Sequence, residues 1–477
     1  MTQRVVVIGG SVAGLGVAVG LAEKGIPVTV LERDPPQDVG NGEDAFREWK
    51  RPGVTQFRHA HGFSARSRNL LLAHAPEVVD DLLAEGVEVV NFFKMLAPPE
   101  LWTDADDAYG GLSTRRPGFE LALRRHVERV AEVRSPVVVA GLRFADAPGS
   151  PRRVTGVRLA DDTVIDADVV VDAGGRRSPV PRWLNEAGVD VVLDEQDCDI
   201  VYFTRYYRRN PAGLPAMALV SGVAAITDRI GFNTFIGDHD TYALLFVCRS
   251  DDRALFALRD PAVFDAVGRE VTMFAPWVEP ENGTPLHNPE MMTGNRNRRW
   301  RYLANGEPAV LGLLPVGDAL CSTNPFYMWG ASMALTYAFA AASAIAEHNG
   351  DLRDVLCAYE AAIGAEADDV YAESSADDRF RTYQWRAQPV PEWDREEMER
   401  RDLIRCIAAG ATRDPVLGRA FLRRINLLES PARPLADPEV VEHARNTQRI
   451  LAAKASRRIA PDGEQLEEII RASASAP

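Results

Sequence analysis

The sequence predicts an α/β chain closed by a helical C-terminal extension, and three observations carry that reading. A short apolar strand, Val5–Ile8, runs into a glycine-rich turn, a helix over 13–24 and a second strand, Val28–Leu31. Glycines at such a strand-to-helix turn mark the opening of a parallel βαβ unit. Further on, the runs 201–207 and 242–247 are rich in aromatic and β-branched residues and read as strands of a separate sheet. From about residue 376 the chain is charged and helical in period, cut by prolines at 389, 391, 415, 431 and 434.

The elements between follow in order. A loop rich in Pro, Gly and charge, 35–62, ends in Arg58-His59-Ala60-His61. One helix is expected over 64–84 and another over 117–131. Strands are expected over 137–142, 154–159 and 169–172. Residues 307–318 return to the first sheet, with a strand leading into Gly317-Asp318, and helices follow over 330–347 and 351–374. The final Ser/Ala/Pro tail is expected to fray.

With 477 residues, 46% hydrophobic and 26% charged, the chain has volume for two or three packed domains. A net charge of −15 argues against nucleic-acid partners, which call for a basic stripe. The five cysteines are odd in number, widely spaced and without a CxxC pair, so neither a zinc site nor a redox dithiol is expected, and the protein reads as reduced and cytoplasmic. The N-terminus reads as a buried strand rather than a signal peptide. The uncharged stretch 329–346 is long enough to raise the question of a membrane. Its Gly330, Ser332, Thr336, Ser343 and many alanines instead suit a helix packed closely inside a protein, so no span is expected.

Three motifs carry chemistry. In Gly9-Gly10-Ser11-Val12-Ala13-Gly14 the free N–H groups of a helix N-terminus can hold a pyrophosphate. Gly9 allows the tight turn and Gly14 the close packing of helix on strand, while Ser11 replaces the usual middle glycine. Glu32, with Arg33 beside it, ends the second strand, where a carboxylate can accept from both ribose hydroxyls of an adenosine. The second motif, Asp172-Ala173-Gly174-Gly175-Arg176-Arg177-Ser178, and the third, Gly317-Asp318-Ala319 with Pro325 and Gly330 downstream, each follow a strand. An aspartate so placed can bond the ribityl chain of a flavin. The helix opening at Gly330, Ala331 and Ser332 can stabilise negative charge on a reduced isoalloxazine.

The order of these motifs resembles the para-hydroxybenzoate-hydroxylase-like family of FAD-dependent monooxygenases, from residue 1 to about 375. The resemblance is specific in the three motifs and weak over 191–300. It implies a Rossmann-like, discontinuous FAD-binding domain (1–90, 116–190 and 301–375), an inserted β-sheet substrate domain (91–115 and 191–300) and the helical extension (376–477). Arg58–His61 and Asn324–Tyr327, written out as Arg58-His59-Ala60-His61 and Asn324-Pro325-Phe326-Tyr327, look most like the flavin epoxidases of polyether-antibiotic pathways. Arg116 resembles the family arginine that reaches the FAD phosphate or ribityl region, and Arg58 the flavin-proximal arginine. Met328 departs from the family, which usually has glycine there.

The resemblance further implies that NAD(P)H visits transiently, since no second dinucleotide motif follows a strand. It reduces FAD, O2 forms a flavin C4a-hydroperoxide, and the distal oxygen passes to an apolar secondary metabolite, giving an epoxide or a hydroxylated product. Aromatic hydroxylation of a polyketide or phenol and a non-oxygenating flavin reductase or dehydrogenase are the alternatives. The Trp-x-Trp-x-Ile-Pro segment of flavin halogenases is missing from the sequence. Tyr202, Phe203, Phe246, Phe326 and Met328 are expected to line the substrate pocket. No catalytic side chain is assigned. His59 and His61 alternate along the chain but lack a nearby third ligand, so no metal is expected.

Overall fold

Val5–Ile8 is the middle strand of a parallel sheet in a computed structural model that describes residues 3–36, 38–146, 150–215, 224–348, 350–453 and 459–474. Among the described residues the strand order is Leu313–Pro315, Val169–Asp172, Val5–Ile8, Val28–Leu31, Glu132–Arg134, all parallel. The apolar runs VVVI and VVVD are buried along their whole length: the helix Val12–Glu23 packs on the sheet, and the antiparallel strand Arg153–Leu159 packs against Val169–Asp172. This order sets the ends of three adjacent strands side by side. The turns at Gly9, Asp172 and Gly317 therefore open on one edge of the sheet, where ligands of open parallel sheets bind.

The helix Val12–Glu23 packs directly on Gly330–Glu347. A Cβ on Gly16 would stand 3.0 Å from the Ala338 methyl, and one on Gly20 2.8 Å from that of Ala342. The small residues of the uncharged stretch thus serve close helix contact. No helix among the described residues is long and apolar enough to cross a membrane.

An antiparallel sheet forms a second layer, in the order Ala224–Ile226, Ile230–Ile236, Thr241–Arg249, Ile200–Arg209, Gly283–Pro285, with Glu290–Met292 also paired to Ile200–Arg209. Its outer face is covered by Pro261–Glu270 and by the last helix, Gly463–Ala474, through Phe264, Val267 and Leu466. Its inner face looks back at the parallel-sheet domain, where Tyr202, Leu245 and Met292 cluster with Trp385. The α/β class, the inserted sheet and the helical C-terminal extension are those read from the sequence.

Several boundaries differ from expectation; the strand expected over 137–142 is Val139–Ala145. The helix expected over 64–84 is two helices, Ala65–His74 and Pro76–Ala84. Pro76 lacks an N–H and drives Ala75 out of the helical region, to φ −154° and ψ 64°. The helix expected to end at 374 runs unbroken from Leu352 to Trp385, joining the parallel-sheet domain to the extension. The tail expected to fray is helical to Ala474, and its last three residues lie outside the described ones.

Candidate functional site

The first turn is shaped by contacts only glycine allows. Gly9 has φ +104°, and a Cβ there would lie 2.6 Å from the Ala173 carbonyl oxygen. A Cβ on Gly14 would lie 1.9 Å from the Gly9 oxygen. Ser11 precedes the helix; its hydroxyl donates to Glu120 (2.8 Å) and accepts from Arg116 (2.9 Å). Glu32 is buried and accepts from the backbone N–H groups of Gly10 (2.8 Å) and Asp34 (2.7 Å) and from Arg51 (2.8 Å). Arg51 also binds Asp34 (3.1 Å) and Glu120. Sequence reading missed this buried guanidinium. The only hint was indirect: Glu120 sits among apolar positions of a helix, and a buried carboxylate needs a counter-charge.

Asp172 is turned onto its own motif. Its carboxylate accepts from Gly174 N–H (2.9 Å) and Ser178 Oγ (2.7 Å), and burial pushes its pKa up to about 6 against the pull of those two bonds. Asp318 is different: it is half-buried and its carboxylate has no hydrogen-bond partner among the described residues. Burial raises its pKa, and the guanidiniums of Arg176 and Arg116 oppose the rise. Gly317, at φ +59°, fits between Ala13 and Ala334, so the third turn is seated on both helices that open toward the site.

Gly330 starts its helix exposed, and a Cβ there would meet nothing within 4 Å. Ala331 is half-buried, whereas Ser332 points inward to Ser64 (2.6 Å) and Ser67 (3.0 Å). Pro325 begins a short turn capped by Asn324, whose Oδ1 accepts from Phe326 N–H at 3.0 Å. Met328 takes the left-handed conformation, φ +59°. The backbone therefore keeps the shape a glycine would give, while the side chain packs on Gly62.

The arginines part company. Arg116 reaches Ser11, His61 Nε2 (3.0 Å) and Glu120 (3.3 Å), on the rim of the first turn. Arg58 donates to the carbonyls of Phe46 (2.9 Å) and Arg47 (3.0 Å), at the end of the helix Gly42–Glu48. Arg33 is exposed and lies over Gly53. Among the described residues no group of His, Cys, Asp and Glu is placed to hold a metal ion. Instead His61 bonds the His59 carbonyl through Nδ1 (2.8 Å).

Tyr202 and Phe326 line a narrow cavity at the inner face of the antiparallel sheet, together with His59, Thr204, Phe235 and Met292. Met328, expected there, packs against Gly62 instead, and Phe203 and Phe246 do not line it either. They are register partners and share the opposite face, where Phe246 packs edge-on against Phe264 (4.9 Å between ring centres) and Phe274 (5.1 Å). The period of two puts Tyr202, Thr204 and Leu245 inward and sends the two phenylalanines outward. Within the cavity, His59 Nδ1 bonds Thr204 Oγ1 (3.0 Å). Burial, then the charges of His287 and Arg176, lower the His59 pKa to about 4, so the ring is neutral at physiological pH.

A larger cavity, about 460 Å³, opens beside the second and third motifs, bounded by Gly175, Arg176, Arg298, Trp300 and Ala319. Arg176 lines this cavity and reaches Met292, on the wall of the narrow one. It donates to Asn295 (2.7 Å) and Gln56 (3.2 Å), with Met292 sulfur at 3.7 Å.

No protein-family model matches the chain. A Mycobacterium tuberculosis protein, Rv3254, is 27% identical, across 93% of this chain and 94% of its own length. Among solved structures, Pseudomonas aeruginosa PqsL in complex with 2-aminobenzoylacetate superposes with a TM-score of 0.59 at 14% identity, covering 80% of this chain and 96% of PqsL. The flavin-dependent brominase Bmp2 matches with a TM-score of 0.59 at 16% identity, over 94% of this chain and 98% of its own. A 2-methyl-3-hydroxypyridine-5-carboxylic acid oxygenase matches with a TM-score of 0.54 at 15% identity, over 80% and 93% of the two chains. At such identities the likeness establishes the fold.

Proposed function

We propose that the chain is an FAD-dependent monooxygenase that uses NAD(P)H and O2 to epoxidise or hydroxylate a small, largely apolar substrate. One observation carries the reading: the glycine turn, the unpartnered Asp318 carboxylate and the bare N-terminus of the Gly330 helix meet at one edge of the parallel sheet, beside an apolar cavity. The fold, shared with a flavin-dependent brominase and an oxygenase, supports it.

The residues fit FAD. The N–H groups at Gly9–Gly14, including those of Ser11 and Ala13, would receive the pyrophosphate, with Arg116 at its rim and Gly174 closing the second turn. Asp318 would hold the ribityl hydroxyls. Glu32 would take the adenosine ribose, since among the described residues Oε1 accepts only from Asp34 and keeps capacity for another donor. The open space before Gly330 and Ala331 leaves room for a ring, and Pro325 stands at its edge. Ser332 would contribute only its backbone N–H, because its hydroxyl is committed to Ser64 and Ser67.

Bound FAD would supply the reduction by NAD(P)H and the activation of O2. The chain's own residues would do the rest. The partial positive charge at the Gly330 N-terminus favours an anionic ring. Tyr202, Phe326, Phe235 and Leu245 exclude water and position the substrate. The larger cavity, with Arg176 making no hydrogen bond to a carboxylate among the described residues and Trp300 on its wall, offers the reductant a place to dock.

The test has two stages. Heat-denatured protein should release FAD; release of FMN or of no flavin sinks the reading. Reduced enzyme given labelled O2 with polyene and phenolic substrates should place one labelled oxygen in the product. NAD(P)H oxidation that depends on substrate but consumes no O2 would select a reductase instead.

A further inference from the structure

We propose that His61 is a positioning residue for the cofactor: as a neutral hydrogen-bond acceptor it aims the Arg116 guanidinium at the first glycine turn and leaves the guanidinium's charge free for a pyrophosphate. The inference rests on the reading of that turn as the FAD pyrophosphate site and adds a residue to it.

Arg116 opens the helix Arg116–Val130, and its side chain is largely buried. It reaches the turn through the Ser11 hydroxyl at 2.9 Å. One contact cannot hold a long, rotamer-rich side chain in a single orientation. The neighbouring carboxylate is a weak hold. Glu120 lies 3.3 Å from Arg116 Nε, and it already accepts from Ser11 Oγ (2.8 Å) and pairs with the buried Arg51. The remaining hold on Arg116 is His61 Nε2, 3.0 Å from Nη1.

The partners of His61 fix its tautomer. A guanidinium has donors only, so Nε2 accepts from Nη1. A backbone carbonyl only accepts, so Nδ1 donates to His59 at 2.8 Å. Both ring nitrogens are committed, and the ring is neutral. A second proton would set N–H against N–H beside a fixed cation. Burial, and after it the Arg116 charge, hold the His61 pKa well below its ordinary value. The segment is also pinned to the helix it serves: two residues on, the buried Phe63 stacks its ring on Phe119 at 3.8 Å between centres.

A neutral acceptor is the chemistry this position calls for. A carboxylate in place of His61 would orient Arg116 as well, but it would cancel the cation and repel a phosphate. Imidazole orients without cancelling. Since Glu120 is answered by Arg51, positive charge remains at the turn for a diphosphate, beside the N–H groups of the helix N-terminus.

The experiment titrates flavin-free protein with FAD, followed by flavin fluorescence. It compares wild type, His61→Gln, His61→Asn, Arg116→Met and the double variant His61→Asn with Arg116→Met. The Gln carbonyl reaches about as far as Nε2 and can accept from Arg116. The shorter Asn amide can still donate to the His59 carbonyl but stops short of the guanidinium. His61→Asn and Arg116→Met should each weaken FAD roughly tenfold or more, while His61→Gln stays within about threefold of wild type. The double variant should bind no more weakly than Arg116→Met alone, because both changes remove one unit. Equal losses in His61→Gln and His61→Asn would overturn the proposal. So would unchanged affinity in His61→Asn, or losses that multiply in the double variant. Thermal denaturation of the flavin-free variants is measured alongside, and a His61→Asn chain that no longer folds would show a structural role and overturn the proposal too. Wild type that binds no FAD defeats the monooxygenase reading itself; wild type that binds FAD, with any of the contrary patterns, defeats this inference alone.

Discussion

Asn324 donates from Nδ2 to the Asp378 carboxylate at 2.6 Å, and both residues are all but sealed from solvent. Asn324 precedes the turn that leads into the Gly330 helix, and Asp378 lies near the end of the longest helix. Around the pair, the Tyr202 hydroxyl donates to Asn324 Oδ1, Asn297 donates to Asp378 (2.7 Å), and Arg381 pairs with Asp378. Antiparallel sheet, the loop leading into the Gly330 helix and C-terminal helix thus share one buried polar node. The extension grips the same loop from outside, with the Arg424 guanidinium over the rings of Tyr327 (5.7 Å) and Trp329 (5.6 Å).

That node should be structural. Asp378→Ala leaves Arg381 buried without its counter-charge, and such losses run to about 3–5 kcal/mol. Urea denaturation of the variant should show a drop of that size. A loss below about 1 kcal/mol would mean that the node is not holding the three parts together.

Arg51 and Glu32 should separate stability from cofactor affinity. Glu32→Ala removes a ribose acceptor, so FAD affinity should fall roughly 10- to 100-fold, equivalent to about 1.5–3 kcal/mol. Arg51→Met strips the cation from Glu32, Asp34 and Glu120 together and should destabilise the folded chain by more than about 3 kcal/mol. Flavin titration and chemical denaturation of both variants check the pair. Unchanged FAD affinity in Glu32→Ala would remove the adenosine role.

The parts of the fold that sequence made legible are those governed by local pattern. Gly9 and Gly14 sit where backbone approach forbids a side chain, and the small residues after Gly330 lie against Gly16 and Gly20. What escaped depends on distance in space. Phe203 and Phe246 look like pocket residues until register shows that their parity points them outward. Arg51 and Asp378 act on partners 69 and 54 residues away, and no local pattern announces such a pairing. In sequence His59 reads as a poor metal ligand; its neutral ring and its place in the cavity follow from burial beside Thr204.

Asp172 should leave a trace in the pH dependence of stability. Its carboxyl is raised from 3.8 to about 6 by burial. A folded-state pKa above the unfolded one means that the folded chain holds the proton more tightly. The group's contribution is therefore full below about pH 4 and lost as pH rises through about 6. Asp172→Asn keeps an acceptor for the Gly174 N–H and faces Ser178 with an N–H donor in place of a carboxylate oxygen, and it cannot titrate. Its stability relative to wild type should rise between pH 4 and 7, by up to about 3 kcal/mol. A flat difference across that window, measured on flavin-free protein, would contradict the buried-acid account.

Gly330 offers a clean separation of folding from cofactor binding. A Cβ there meets nothing within 4 Å among the described residues, and alanine favours a helix by up to about 1 kcal/mol over glycine. Gly330→Ala should fold as well as wild type or better. If the open space is where the flavin ring lies, the same methyl should weaken FAD at least about tenfold. Thermal denaturation of flavin-free protein and flavin titration give the two numbers. Normal stability with normal FAD affinity would move the ring elsewhere.

Met328 is the residue whose replacement should change specificity. Its φ of +59° is glycine's territory, and holding a side chain there costs about 1–2 kcal/mol. Met328→Gly relieves that strain but loses packing on Gly62 and adds freedom to the unfolded chain, so the net change in stability should stay within about 1 kcal/mol. The backbone already has the shape glycine would give, so FAD affinity should hold. What disappears is a flexible thioether one residue past the turn Pro325–Tyr327, whose Pro325 and Phe326 line the narrow cavity. Bulkier members of a substrate panel should then gain relative to small ones, read as ratios of kcat/KM. A variant that loses FAD while its substrate ratios stay fixed would show that Met328 supports the cofactor rather than shaping the pocket.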